Sequence, residues 1–327
     1  MVRRIVIPGG SGAVGQLLAR YFHRRGDKVV VLSRRTWNTA WRTVQWDGTT
    51  LGPWSREIDG ADIVINLAGK SVDCRYNLRN RREILNSRIY STRAIGEAIA
   101  AAKRPPSVWI NASTATIYRH ALDRGMDETT GEIGGHESGR MATWNFSIDV
   151  ATSWERAFFE MRIAGVRQVA TRSALTAIPG ASWLGKLTRL ARLGLGGTAG
   201  NGDQYVSWIH ETDYIRAIEF LITHEDVDGV VNLSSPNPLP NAEFMRALRE
   251  ACGAPFGPRL PEKLLRLGAM IMGTEAELIL KSRRVIPSRL LDAGFEFRFP
   301  TWPEAARELL WRPGLCGALH TSAQIDR

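Results

Sequence analysis

The chain is poor in the features that would make it a disulfide scaffold, a metal protein or a membrane protein. Its three cysteines, Cys74, Cys252 and Cys316, are odd in number and far apart. They exclude a disulfide framework, show no metal-ligand spacing and have no histidine at helical distance, so they read as reduced and structural and no metal is expected. No apolar run is long enough to cross a bilayer, since the most hydrophobic late stretch, residues 264–280, is broken by Arg266, Glu275 and Glu277. The N-terminus lacks the charged, apolar and small-residue succession of a signal peptide. The cytoplasm is therefore the expected location, and no membrane partner is expected. Acidic residues are outnumbered, 33 against 43 Lys and Arg, for a formal net charge of +10. Such a balance raises the question of nucleic acid. However, the densest cluster, Arg75, Arg79, Arg81, Arg82, Arg88 and Arg93, spreads around a helix axis, is interrupted by Glu83 and Glu97, and comes with no nucleic-acid-binding signature. A small molecule is the expected partner.

Glycine, in contrast, is abundant, and its placement is the most informative feature. Gly9, Gly10, Ser11, Gly12, Ala13, Val14 and Gly15 lie between an apolar run, residues 3–8, and an amphipathic stretch, residues 13–25. This is a strand, a glycine turn and a helix. The early glycines let backbone approach a pyrophosphate, the last lets helix and strand pack closely, and the helix N-terminus offers free N–H groups to the anion. Residues 29–32 then read as the second strand of a βαβ unit. At its end, where NAD-selective sites place a carboxylate for the ribose 2′-hydroxyl, the chain has Ser33, Arg34 and Arg35. A guanidinium suits a 2′-phosphate, so the expected cofactor is NADP(H).

Alternating patterns continue along the chain. Residues 62–66 form a short continuous apolar run ending in Asn66, Leu67, Ala68 and Gly69. A long helix is expected over 79–103, stopped by Pro105 and Pro106; then a strand over 108–112, a helix over 146–164 and a strand over 167–173. This order builds a doubly wound parallel sheet, an α/β fold of the NAD(P)-binding Rossmann class. Composition changes after Pro179 and Gly180. The expected division is a cofactor-binding domain over 1–178, its sheet completed by about 228–236; a substrate-side and C-terminal helical region over 179–310; and a loosely held tail over 311–327. A strand is expected around 205–209. Phe295, Phe297 and Phe299 alternate with Glu296 and Arg298 as a half-exposed strand would. Asp127, Glu128 and Glu132 read as solvated acids of a mobile lid.

These motifs resemble the extended short-chain dehydrogenase/reductase superfamily: the glycine turn, the Asn66–Gly69 turn, Ser113 to Tyr118, Arg172 through Pro179-Gly180, and Ser207-Trp208-Ile209-His210 with Asp213 fall in that family's order. The segments 282–287 and 289–295, closing on Phe299-Pro300, resemble more narrowly the epimerase-family branch with a C-terminal domain of unknown function. The resemblance implies that Gly9, Gly10, Ser11, Gly12, Ala13, Val14, Ser33, Arg34, Arg35, Leu67, Ala68, Gly69, Arg88 and Pro179 hold the cofactor. In the superfamily a tyrosine exchanges the proton, and a lysine four residues later lowers its pKa. Here Ser147 and Ala151 stand at those positions. A serine with no adjacent base is a far weaker proton donor and acceptor, so the identity of the proton-transfer group is left open. Thr114 aligns with a family Ser or Thr that orients the substrate oxygen, and with Ser147 it is a catalytic candidate. Arg75, Tyr118, Trp208 and His210 are substrate-side candidates, although a structural role is favoured for His210. The expected function is an NADP(H)-binding epimerase- or dehydratase-like oxidoreductase; the alternative is a non-catalytic NADP(H) sensor. Helices of this fold often pair across a twofold axis, which leaves a homodimer open.

Overall fold

The computed structural model describes residues 2–138, 144–180, 182–271 and 273–311; of the expected tail only Trp311, the last residue of a helix, is in this set, and Cys316 falls outside it. In the first half the elements are β1 (Arg4–Pro8), α1 (Ala13–Arg24), β2 (Lys28–Ser33), β3 (Arg42–Gln45), β4 (Ile63–Asn66), α2 (Leu78–Ala100), β5 (Val108–Thr114), α3 (Asn145–Phe159) and β6 (Arg167–Ser173). The second half contains β7 (Leu175–Ala177), α4 (Ser182–Arg192), β8 (Tyr205–Val206), β9 (Trp208–His210), α5 (Glu211–Thr223), β10 (Gly229–Leu233), β11 (Leu239–Pro240), α6 (Asn241–Ala251), α7 (Glu262–Ile271), α8 (Glu277–Leu280), α9 (Ser288–Asp292) and α10 (Trp302–Trp311). None of the described helices is long and apolar enough to cross a membrane.

Seven strands form one sheet in the order β10-β6-β5-β4-β1-β2-β3, with every pair parallel. The unbroken apolar runs of β1, β2 and β4 are explained by burial on both faces. Ile5, Ile7, Val29, Val31, Ile63 and Ile65 turn toward α1 and α5, packing against Leu18, Phe22, Ile218 and Leu221. Their neighbours Val6, Val30, Leu32 and Val64 turn the other way, onto Ile95 and Ile99 of α2 and Phe158 of α3. The period of two along each strand thus feeds both cores. Strand order reverses between β1 and β4, and at such a switch point the loops leaving the strand C-termini diverge and leave a crevice.

A third core lies beyond the sheet, where α4, α6 and α10 enclose Trp208, Phe244, Met245, Leu248, Trp302 and Leu309. The region expected as one strand around 205–209 is divided between two small sheets: β8 pairs antiparallel with β11, and β9 pairs parallel with β7. Residues 295–299 form no strand. Phe295 packs onto Phe297 and onto Phe220 of α5, Phe299 lies against His210, and Arg298 N and Phe299 N donate to the buried Asp213 carboxylate at 2.8 Å each, so a side chain takes the place of a ladder. The acidic loop is also anchored. Glu128 accepts from Asn232 N at 2.8 Å and Arg289 N at 3.3 Å, and burial raises its pKa. Met126 exchanges backbone hydrogen bonds with Arg284 and Ile286, and Glu132 pairs with Arg119 and Arg124. These contacts replace the expected solvated lid with a tether to the C-terminal segment.

Candidate functional site

The glycine turn leaves β1 at the switch point. Gly9 has φ +74°, and a Cβ there would sit 2.6 Å from Ala68 Cα and N, so the turn rests directly on the backbone leaving β4. A Cβ at Gly15 would lie 2.4 Å from Gly10 Cα, which presses the first turn of α1 against the loop. At Gly12 the nearest atom would be 3.9 Å away. Gly12 is also the N-cap of α1 and supplies no capping side chain, so the helix presents its first N–H groups outward beside the exposed Ser11, Gly12 and Ala13. A filled floor, an open rim and an uncapped helix N-terminus together fit a phosphate group.

The end of β2 places Arg34 and Arg35 in solvent, where neither guanidinium has a carboxylate partner among the described residues. On the other side of the turn, Asn66 donates to Asn111 Oδ1 at 2.7 Å and accepts from Ala68 N at 3.0 Å, which fixes the backbone of Leu67, Ala68 and Gly69. Arg88, on α2, lies against Gly69. A Cβ at Gly69 would be 3.3 Å from the Arg88 Cζ. The Arg88 guanidinium donates to Lys70 O and Ile84 O, covers the Trp154 ring at 5.0 Å, and has no carboxylate partner among the described residues. Burial pushes its pKa down to about 10. It is a positive group held at the crevice wall without a counter-charge among the described residues.

Ser147 lies in the first turn of α3, and it has the neighbour that sequence reasoning missed. Its hydroxyl donates to Glu277 Oε2 at 2.9 Å, on α8 and 130 residues further along the chain. The Tyr76 ring packs edge-on against neighbouring Phe146 at 5.2 Å; burial, and then Glu277, push its phenol up to about 12, so it is protonated at neutral pH. Glu277 is 6% exposed, and burial raises its pKa. Lys281 and Arg283 follow on the same segment. Lys281 Nζ donates to Thr116 O at 2.9 Å and Arg283 Nε to Thr116 Oγ1 at 3.2 Å, while burial lowers the pKa of both cations. Thr114, half-buried at the end of β5, accepts from Thr116 N at 3.2 Å and so belongs to the same turn. Signals for Glu277 and Lys281 existed only as charges inside an apolar stretch.

Other candidates lie elsewhere. Tyr118 is 1% exposed, its hydroxyl between Arg172 Nη1 at 3.0 Å and Asn232 Oδ1 at 2.9 Å, with Arg172 itself paired to Glu155. That places it inside the protein rather than on a pocket wall. Trp208 is fully buried against Trp302. His210 caps α5 by accepting from Thr212 N at 3.0 Å, and its other ring nitrogen meets Glu308 at 3.0 Å. Arg75 is engaged by Thr274 O and Glu275, and Pro179 is half-buried after β7. A cavity of about 740 Å³ lined by His120, Trp144, Gln204, Arg259, Arg266 and Leu280 opens beyond Lys281. A smaller one of about 120 Å³, mostly aliphatic, touches Lys281 and Arg283. Neither includes the glycine turn, so the site is defined by the crevice groups and not by these cavities.

Comparison with known proteins bears on this arrangement. A model of the NAD dependent epimerase/dehydratase family matches residues 5–234, and a model of a domain of unknown function, DUF1731, matches residues 260–309. The epimerase family protein SDR39U1 of Bos taurus is 31% identical over 314 residues, covering 94% of this chain and 99% of its own. The crystal structure of human epimerase family protein SDR39U1 (isoform 2) with NADPH superposes with a TM-score of 0.81 at 28% identity, over 94% of this chain and 99% of that one. MoeE5 in complex with UDP-glucose and NAD shares the fold, with a TM-score of 0.73 at 19% identity over 94% of this chain and 97% of that one.

Proposed function

The chain belongs to the NAD dependent epimerase/dehydratase family, and from that premise we propose that it is an NADP(H)-dependent oxidoreductase or epimerase-like enzyme acting on a small carbonyl or hydroxyl compound. One observation carries the cofactor choice. Arg34 and Arg35 stand uncompensated at the end of β2, where a ribose 2′-hydroxyl would call for a carboxylate. The NADPH in the human SDR39U1 structure supports this choice; the NAD in MoeE5 comes from a protein alike in fold alone. Ser11, Gly12, Ala13 and Val14 would hold the pyrophosphate, Ser33, Arg34 and Arg35 the 2′-phosphate, and Leu67, Ala68, Gly69 and Arg88 the crevice wall toward the reacting end. When bound, the nicotinamide supplies or accepts a hydride.

The absent Tyr/Lys pair favours a second reading, a sensor whose NADP(H) state governs a protein partner. The polar cluster around Ser147 favours the enzyme, because a partly buried hydroxyl hydrogen-bonded to a buried carboxylate is suited to moving protons. The test is a panel of carbonyl compounds and sugar nucleotides, following NADPH oxidation and exchange of its C4 hydrogen. Turnover or exchange with any member is expected. Tight NADPH binding with neither across the whole panel would overturn the enzyme reading and leave the sensor.

A further inference from the structure

Resting on the NADP(H) reading, we infer that Glu277 exchanges protons with the bound reactant through the hydroxyl of Ser147, so that the C-terminal segment supplies the acid/base group that α3 lacks. Two independent features of geometry support it. The first is the contact itself, Ser147 Oγ to Glu277 Oε2 at 2.9 Å, made between elements far apart in sequence. The second is that the other carboxylate oxygen of Glu277 is buried and has no hydrogen-bond partner among the described residues. A pair serving only to latch the C-terminal segment onto α3 would be more stable with that oxygen satisfied, since a buried acceptor without a partner costs free energy.

The pair also connects to the crevice. Gly9 rests on Ala68, Arg88 lies on Gly69 and covers the Trp154 ring at 5.0 Å, Trp154 stands two turns along α3 from Ser147 on the same face, and the Tyr76 ring packs edge-on at 5.2 Å against Phe146, the residue before Ser147. Ser147 is therefore the half-buried end of a polar line whose buried end is Glu277. In the reducing direction the substrate carbonyl carbon takes the hydride and its oxygen takes the proton of Ser147 Oγ. The serine regains a proton from the Glu277 carboxyl, which is left as carboxylate and is reprotonated by solvent through the Ser147 hydroxyl once the product has left. The oxidising direction runs these transfers backwards. Glu277 faces Ser147 on α3 and Tyr76 on the loop before α2, with Glu275, Lys281 and Arg283 on its own segment; Cys74 and Arg88 are within electrostatic reach of Tyr76, and Glu137 of Lys281. Arg283, Ser147 and Lys281 favour the carboxylate, while burial and Glu275 favour the acid.

A proton store beside the reacting ring must sense the charge of that ring, which is positive in NADP⁺ and neutral in NADPH, whereas a distant latch need not. The test measures proton release on binding each nucleotide, by calorimetry in two buffers of different ionisation enthalpy across about pH 5 to 8. NADP⁺ should release a larger fraction of a proton than NADPH. Glu277→Gln should abolish that difference while both nucleotides still bind. Ser147→Ala should move it to higher pH, because the serine hydrogen bond holds the carboxyl down. A second readout needs no variant: the infrared difference spectrum between the NADP⁺ and NADPH complexes should show a protonated-carboxyl band lost in the NADP⁺ complex. Equal proton release with both nucleotides bound, an unchanged difference in Glu277→Gln, or no carboxyl band would overturn the relay alone. Failure of either nucleotide to bind the wild-type protein would overturn the cofactor reading and the relay with it.

Discussion

At the scale of single residues, the close-packed glycine turn was legible in the sequence because its shape depends on near neighbours, and the role proposed for Arg34 rests on the same local reading. Arg34 follows a strand, and nothing elsewhere in the described chain neutralises it. Arg34→Asp should weaken NADPH binding by about ten- to a hundredfold, the worth of a charge-assisted hydrogen bond, and leave NADH nearly unchanged in the same titration. The glycines separate into two kinds. Gly9→Ala meets both a left-handed φ and backbone 2.6 Å away, and should cost roughly 1–3 kcal/mol in denaturant unfolding. Gly12→Ala meets open space, so it should leave stability intact and weaken nucleotide binding by filling the rim. Glu277 was not legible. Its partner is 130 residues away, and a glutamate on one short helix has no local pattern that sets it apart from a solvated one.

At the scale of elements, strands buried on both faces announced themselves as continuous apolar runs, and β1, β2, β4, β5 and β6 formed close to where the pattern puts them. Alternation failed at 295–299. The period of two is real there, but the aromatic residues alternate against neighbouring side chains, and the backbone amides are taken by Asp213 in the first turn of α5. No windowed pattern can register that a carboxylate 85 residues earlier will serve as the acceptor. Asp213→Ala leaves those two amides without their partner and should cost about 1–3 kcal/mol, read as a lower denaturation midpoint with unchanged slope. The single strand expected at 205–209 divides at Ser207, whose buried hydroxyl donates to Arg283 O and accepts from Val285 N and so ties the C-terminal segment to the point of division.

For the whole molecule, the family resemblance foretold a C-terminal unit but gave it no chemistry, whereas the structure folds it back over the end of β5 and the start of α3. Arg75 with Glu275, Ser147 with Glu277, and Lys281 and Arg283 with Thr116 hold that arrangement together. At the opposite, N-terminal edge of the sheet, Arg3 binds Asp27 and Glu219 at 2.8 Å each. Burial alone would raise the Asp27 pKa, but the Arg3 hydrogen bonds override it and the net shift is downward. The folded value therefore lies below the unfolded one near 3.9, so this pair stabilises the protein above about pH 4 and loses its contribution as pH falls through the folded value. Asp27→Asn should be less stable than wild type at neutral pH, with the difference shrinking in acid denaturation below about pH 4. Since this pair lies away from the crevice, nucleotide affinity should not follow.

All of this depends on an uncapped helix end and two free arginines gripping one cofactor. The most direct measurement is a fluorescence titration of the folded wild-type protein with NADPH and NADH. Saturable binding of NADPH, at least about tenfold tighter than that of NADH, is the result expected. Equal affinities, or no saturable signal with either nucleotide, would contradict the account.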